Sequence, residues 1–243
     1  MIIVAVIEVI VCFIILKWLL KCKNGEKFSK GFIIKTLLFG LLSTIIVLAI
    51  SFVIPEEVYS STGVAMMLLV IATGPILEEV IKFIVFILAI KKGDEVKTVM
   101  DSMLACGIVA VGFMMFENVE YSLFGDASTL LRVIFPCHLV FGLVMGYFYG
   151  KAKQTGKSFY KVLSLVVPII LHTFFDAPVA LIRGLLGHFD THMSPEEFMA
   201  LPNFNLIASL AGIFVIMLVV FLILIIASFI VVTKLSKDQK LEM

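Results

Sequence analysis

Apolar runs of about twenty residues, long enough to cross a bilayer, alternate along this chain with short polar connectors. The alternation predicts membrane-spanning helices at roughly 2 to 20, 32 to 54, 63 to 90, 99 to 121, 129 to 150, 162 to 185 and 206 to 233. The connectors are too short for a soluble domain, which needs about 40 residues even with help. No low-complexity stretch or convincing internal repeat interrupts the pattern. The expectation is an all-α fold: a polytopic transmembrane helical bundle of about seven spans, in which 1–243 form a single integral membrane domain with its motif-bearing core near 63–185. In the connector 186 to 205, Ser194, Pro195 and Glu197 stand where an N-cap, a first helical position and a capping-box acid belong, so a short surface helix is expected there.

Composition strengthens this reading. Apolar residues make up 61% of the chain and the mean hydropathy is +1.15, which excludes a soluble enzyme. The charges then set the orientation. Lys21, Lys23, Lys27 and Lys30 fill the first connector, Lys91, Lys92 and Lys97 the third, Lys151, Lys153, Lys157 and Lys161 the fifth, and Lys234, Lys237 and Lys240 the tail. The connectors between them carry Glu56, Glu57, Asp126, Asp190, Glu196 and Glu197 and no lysine. Because lysine and arginine collect on the cytoplasmic side, the N-terminus is expected outside and the C-terminus in the cytoplasm. The near-neutral net charge of +1 argues for a membrane partner and against nucleic acid. Segment 2 to 20 lacks a preceding basic region and reads as a retained span, not a leader. Cys12, Cys22, Cys106 and Cys137 have neither the placement for disulfides nor a zinc-type spacing, and His188, Asp190 and His192 read as a solvated loop.

Against this background seven residues stand out inside the spans: Glu78, Glu79, Lys82, Glu117, His138, His172 and Asp176. An ionisable group at the centre of a spanning helix costs roughly 2.5 to 3.5 kcal/mol on insertion scales, so these groups should converge on one polar site where they pair or meet water. In the string GPILEEVIK, Glu78 and Lys82 are spaced to pair along one helix face, while Glu79 projects about 100° away. One glutamate is thus held by Lys82 and the other is suited to accept a proton. Pro75 is expected to kink the span just before them.

The next three spans each add a candidate. Phe113 and Glu117 share a face; Glu120 is nearer the boundary and reads as interfacial. His138 begins a stripe with Gly142, Gly146 and Gly150 that lets another helix approach closely. His172 and Asp176 are one turn apart, so the carboxylate can fix the imidazole for proton transfer or for a metal. Counting about 1.5 Å per residue from the outer ends puts His138 about 14 Å deep, His172 about 20 Å, Glu79 about 24 Å and Glu117 about 6 Å. That spread places a site between the midplane and the outer surface. Asp101, Arg132 and Arg183 lie near span ends and read as snorkelling or interfacial.

Together EEVIK (Glu78 to Lys82), FMMFE (Phe113 to Glu117), HLVFG (His138 to Gly142) and HTFFD (His172 to Asp176), with the flanking Asn118 and Tyr121, resemble the motifs of the PrsW family of intramembrane proteases. The likeness to type II CAAX prenyl endopeptidases is distant, because those use E-E-x-x-x-R and a histidine where this chain has Glu117. The resemblance implies a multi-pass enzyme of the cell membrane that cuts a single-pass membrane protein near its extracytoplasmic boundary, as in site-1 cleavage of an anti-sigma factor during a stress response. Its catalytic set would be Glu78, Glu79, Glu117, His138, His172 and Asp176, supported by Lys82, Phe113 and Gly142. Glu78 or Glu79 would activate a water with help from Glu117, His138 and His172 would position it or stabilise the oxyanion, and Asp176 would orient His172. No cofactor is required if the chemistry is of the glutamic type; the same residues can hold zinc. Two other classes use such residues: a proton-coupled transporter, and a non-catalytic immunity or scaffold member of the wider superfamily.

Overall fold

The computed structural model describes residues 2–23, 25–54, 63–91, 93–124, 135–186 and 194–241. Helix α1 (Ile2–Cys22) and α2 (Lys30–Ser51) are followed by α3 (Val64–Ile71), a π turn (Ala72–Ile76) and α4 (Leu77–Ile90). Then come α5 (Val99–Phe124), α6 (Cys137–Thr155), α7 (Ser158–Leu186), the short α8 (Pro195–Met199) and the long α9 (Phe204–Leu241). The fold is all-α, and five of these helices are long and apolar enough to cross a membrane: α1, α2, α5, α7 and α9. The other two expected spans lack that signature for physical reasons. The third is broken by the π turn and carries Glu78, Glu79 and Lys82, while the described part of the fifth starts only at Cys137 and runs on to Lys151 and Lys153. The loop residues Glu56, Glu57, Lys92, Asp126, Arg132, His188, Asp190 and His192 lie outside the described residues, as does the side chain of Arg183.

Helix α5 is the axis of the bundle, buried almost without interruption from Asp101 to Met114. Its neighbours come close because glycines remove side chains at the crossings. On α6, Gly142 lies against Ala110 and the Cys106 carbonyl, Gly146 against Ser102 and Met103, and Gly150 against Val99. On the other flank Gly40 of α2 meets Gly112 of α5, where a Cβ on either would run into backbone. The glycine stripe anticipated from the sequence is thus the α5–α6 contact. A dry core of Leu19, Phe86, Leu104, Ile108, Leu139 and Met145 fills the space between α1, α4, α5 and α6. Helix α9 packs Met217, Phe221 and Ile225 on Cys137, Val140 and Phe141, sets Phe221 on Phe175 of α7 and Phe229 on Trp18 of α1, and leaves its opposite face apolar and exposed.

Polar ends are satisfied locally. Ser29 caps α2 by accepting from the Phe32 N–H at 3.1 Å, and its own N–H and hydroxyl donate to Glu95 at 2.7 Å each. Asp101 accepts from the N–H groups of Lys97 and Thr98 at 3.0 Å while Thr98 Oγ1 accepts from the Asp101 N–H, a reciprocal cap at the start of α5. Asp101 is also buried against Lys23 at 2.9 Å, so it is a structural anchor and not the interfacial side chain expected. The short helix at Pro195 forms as anticipated, with Ser194 and Glu197 completing a capping box.

Candidate active site

Pro75 has no N–H to give to the preceding turn, and the chain absorbs the loss as a π turn in place of a clean break. This widened turn ends at Ile76, so Glu78 and Glu79 sit in the first turn of α4, both buried. They part in direction, as one-residue spacing on a helix requires. Glu79 is fully enclosed and pairs with Lys82 through Oε1; the same oxygen lies 2.8 Å from His172 Nδ1. Glu78 instead lines a cavity. The pairing of Lys82 therefore differs from the expected Glu78–Lys82 contact: the ammonium selects the i+3 carboxylate inside the bundle.

The two imidazoles face each other, ring centroids 5.0 Å apart. His138 Nδ1 lies 3.0 Å from Lys82 Nζ, and its Nε2 lies 2.7 Å from Glu117 Oε2. An ammonium has hydrogens and no lone pair, so Nδ1 is the acceptor and Nε2, the nitrogen nearer Glu117, carries the hydrogen. His172 is arranged the other way round. Its Nδ1 donates to Glu79, and its Nε2 faces Asp176 Oδ2, 3.4 Å away, and Glu78 Oε2, 3.9 Å away. Glu79, more than Asp176, therefore fixes the His172 ring, because its contact is the shorter and fully buried one.

The depth spread counted from the sequence collapses in the structure. Glu117 on α5 and His138 on α6 touch, and the π turn brings Glu78 to the same place. Glu78, His138 and His172 each offer one ligand atom within 4.8 Å of the others. The cavity they border has a volume of about 470 Å³, and Asp176, Asn118, Glu117 and Glu120 also line it. All six expected catalytic residues thus cluster: Glu78, Glu117, His138, His172 and Asp176 at the cavity, and Glu79 directly behind them. The three supporting residues are placed as follows. Lys82 Nζ lies 4.3 Å over the Phe113 ring, Phe113 meets His138 edge-on at 4.9 Å, and Gly142 serves helix packing.

Two features escaped the sequence reading. Phe141 stacks on His172 with centroids 4.8 Å apart and planes 24° from parallel, shielding the imidazole; its position one turn after His138 was the available signal. Glu8 of α1 is buried and accepts a hydrogen bond from the Ser122 hydroxyl at 2.6 Å. A lone carboxylate in the run from 2 to 20 was the clue there. It lies outside the set of residues lining the cavity.

A family model described as PrsW family intramembrane metalloprotease matches residues 29–232. A protein named Protease PrsW from Geobacillus kaustophilus is 29% identical over 151 residues, covering 60% of this chain and 66% of that one. Its namesake in Oceanobacillus iheyensis is 33% identical over 107 residues, 42% of this chain and 49% of the relative, and that of Halalkalibacterium halodurans is 28% identical over 163 residues, 65% and 74%. The matched stretches therefore span about half to three quarters of these relatives' lengths. No solved structure matches the chain. Since the family model takes in every motif that meets at the cavity, from Glu78 on α4 to Asp176 on α7, this multi-pass membrane chain belongs to the PrsW family.

Proposed function

We propose that the chain is an intramembrane endopeptidase that hydrolyses a single-pass membrane protein near its extracytoplasmic boundary, with an anti-sigma factor of a stress-signalling cascade as the substrate implied by its motifs. The observation that carries this reading is the convergence of Glu78, His138 and His172 within 4.8 Å at a cavity inside an otherwise apolar bundle. Hydrocarbon would reject these groups singly; together they form a polar pocket fit for water.

The depth of the cut follows from the lining. Ser51 at the end of α2, Glu117 to Tyr121 late in α5 and Cys137 at the start of α6 all border the cavity. The lysine-rich connectors lie at the opposite ends of these helices, which supports an outer-half site in a single bundle of about seven spans, N-terminus outside and C-terminus cytoplasmic. A substrate helix must unwind to expose a peptide bond, and it does so most easily at the boundary.

Glu78 borders the cavity and its Oε2 accepts no hydrogen bond among the described residues, whereas Glu79 is committed to Lys82 and His172. This supports Glu78 as the carboxylate that takes the proton of the attacking water and returns it to the departing amine. His138, whose Nε2 lies beside Glu117, donates from Nε2 to the oxygen on which charge develops. The donor set also fits a divalent ion, since two imidazoles and a carboxylate with an oxygen to spare form a zinc-type set, which His138 joins through Nε2 once its hydrogen moves to Nδ1 in place of the Lys82 contact. Glu78, His138 and His172 would hold it, and when bound it would supply Lewis-acid polarisation of the scissile carbonyl. Glu79 behind His172 is placed as the outer carboxylate that such a ligand uses.

The test is co-reconstitution in liposomes with a panel of single-pass membrane proteins, followed by mapping of new termini, with and without exhaustive chelation. Wild type should cut in the outer half, and Glu78→Gln and His172→Ala should not. Equal cutting by both variants, or cuts confined to the cytoplasmic half, would overturn the reading; loss of activity on chelation that zinc restores would select the ion-dependent chemistry.

A further inference from the structure

Asn118 is only 3% exposed and borders the cavity one residue after Glu117. No hydrogen bond from a described residue reaches its carboxamide. A carboxamide cut off from water without partners is unfavourable, and no described residue supplies one. Nearby hydroxyls are already engaged: Thr44 donates to the Phe113 carbonyl at 3.0 Å and Thr73 to the Leu69 carbonyl at 2.9 Å. Asn118 thus presents both a donor and an acceptor to the space the substrate would enter.

We propose that Asn118 binds the main chain of the unwound substrate segment, its NH2 donating to a peptide carbonyl and its Oδ1 accepting from a peptide N–H. The inference rests on the protease reading above. A peptide stretch that has left its helix exposes one donor and one acceptor per residue, and inside a membrane bundle these need partners. One carboxamide supplies both, which neither an acyl chain nor an intact helix can use. Met114, Phe135, Phe175 and Leu218 add apolar wall to the same cavity. A main-chain contact of this kind favours segments that unwind readily, whatever their side chains. Asn118 and Glu117 point about 100° apart on α5, so main-chain pairing and chemistry occupy different walls of one cavity.

The test uses the full chain in lipid nanodiscs carrying Glu78→Gln, titrated with a fluorescent single-pass peptide whose outer juxtamembrane segment contains glycine and proline. Asn118→Leu should weaken binding about tenfold and Asn118→Gln should recover part of it. Methylating the peptide's juxtamembrane N–H groups one at a time should find a position that costs the parent affinity but costs Asn118→Leu nothing, a coupling that a purely structural role would not produce. The thermal midpoint of Asn118→Leu should stay level or rise, because leucine removes an unpaired polar group. Unchanged affinity, absent coupling or a lowered midpoint would overturn the inference, the middle result pointing to a water-filled site. If active wild type cuts the peptide and active Asn118→Leu cuts it equally well, this inference alone falls; if wild type neither binds nor cuts any single-pass peptide, the protease reading falls with it.

Discussion

Two buried ionic assemblies lie toward opposite ends of α5, and they differ in how completely they are satisfied. At the start of the helix Asp101 uses Oδ1 for Lys23 and Oδ2 for two backbone N–H groups, so each oxygen has a partner. Toward the other end Glu78 and Glu79 each keep an oxygen, Oε2, with no hydrogen bond among the described residues. A saturated pair has nothing left to offer and serves as an anchor. An assembly with acceptors to spare beside a cavity retains capacity for a ligand, and the chain bears the cost of leaving it unsatisfied. The ratio of partners to polar atoms separates structure from chemistry here better than burial does, because both assemblies are buried.

The contrast is broken or sharpened most strongly at Glu78. Glu78→Gln should lower the cleavage rate by about 10²- to 10⁴-fold while the midpoint of thermal unfolding holds or rises, read with a thiol-reactive dye on the buried cysteines Cys12, Cys22, Cys106 and Cys137. A lowered midpoint would make Glu78 an anchor like Asp101. The reverse result is expected at the other end. Asp101→Ala strands Lys23 and uncaps α5, and should cost about 3–5 kcal/mol of stability with the rate per folded molecule preserved. Gly146→Leu tests the packing between the two assemblies. Its side chain would strike Ser102 and Met103 of α5, and the expected loss is about 1–3 kcal/mol.

The smallest effect belongs to α8, remote from both. Ser194→Ala should cost about 1 kcal/mol of local helix stability, visible as faster amide exchange over residues 194–199. Glu197 accepts from the Ser194 N–H at 2.8 Å, which holds its carboxyl below the usual carboxylate range. A depressed pKa means that the cap is present at neutral pH and is lost as pH falls through that lowered value. Amide exchange there should therefore quicken on acidification, and Glu197→Gln should flatten the response.

Much of the site was legible because hydrocarbon makes ionisable residues conspicuous. Glu78, Glu117, His138, His172 and Asp176 needed no fold to be noticed, and their convergence followed from the cost of leaving any of them alone. What stayed hidden was pairing. Lys82 is three residues from Glu79 and four from Glu78, and both spacings share a helix face, so helical geometry alone does not choose between them. The choice depends on which carboxylate faces His172 across the bundle. Glu117 counted as too shallow because its helix runs on to Phe124, beyond the end at 121 that the sequence suggests. Glu8 was overlooked since a single acid in an apolar run has no sequence neighbour to reveal it; its partner Ser122 is on another helix.

Sequence by itself determined the all-α class, the membrane setting, a glycine stripe suited to a close helix crossing and the roster of reactive groups, since each follows from transfer free energies or from spacing within one helix. Tertiary structure decided which carboxylate Lys82 neutralises, which partners each imidazole nitrogen meets, and that Asn118 borders the cavity from α5. Those are contacts between helices, and they exist only once the π turn and the close crossings of α2, α5 and α6 have fixed how the helices are rotated against one another.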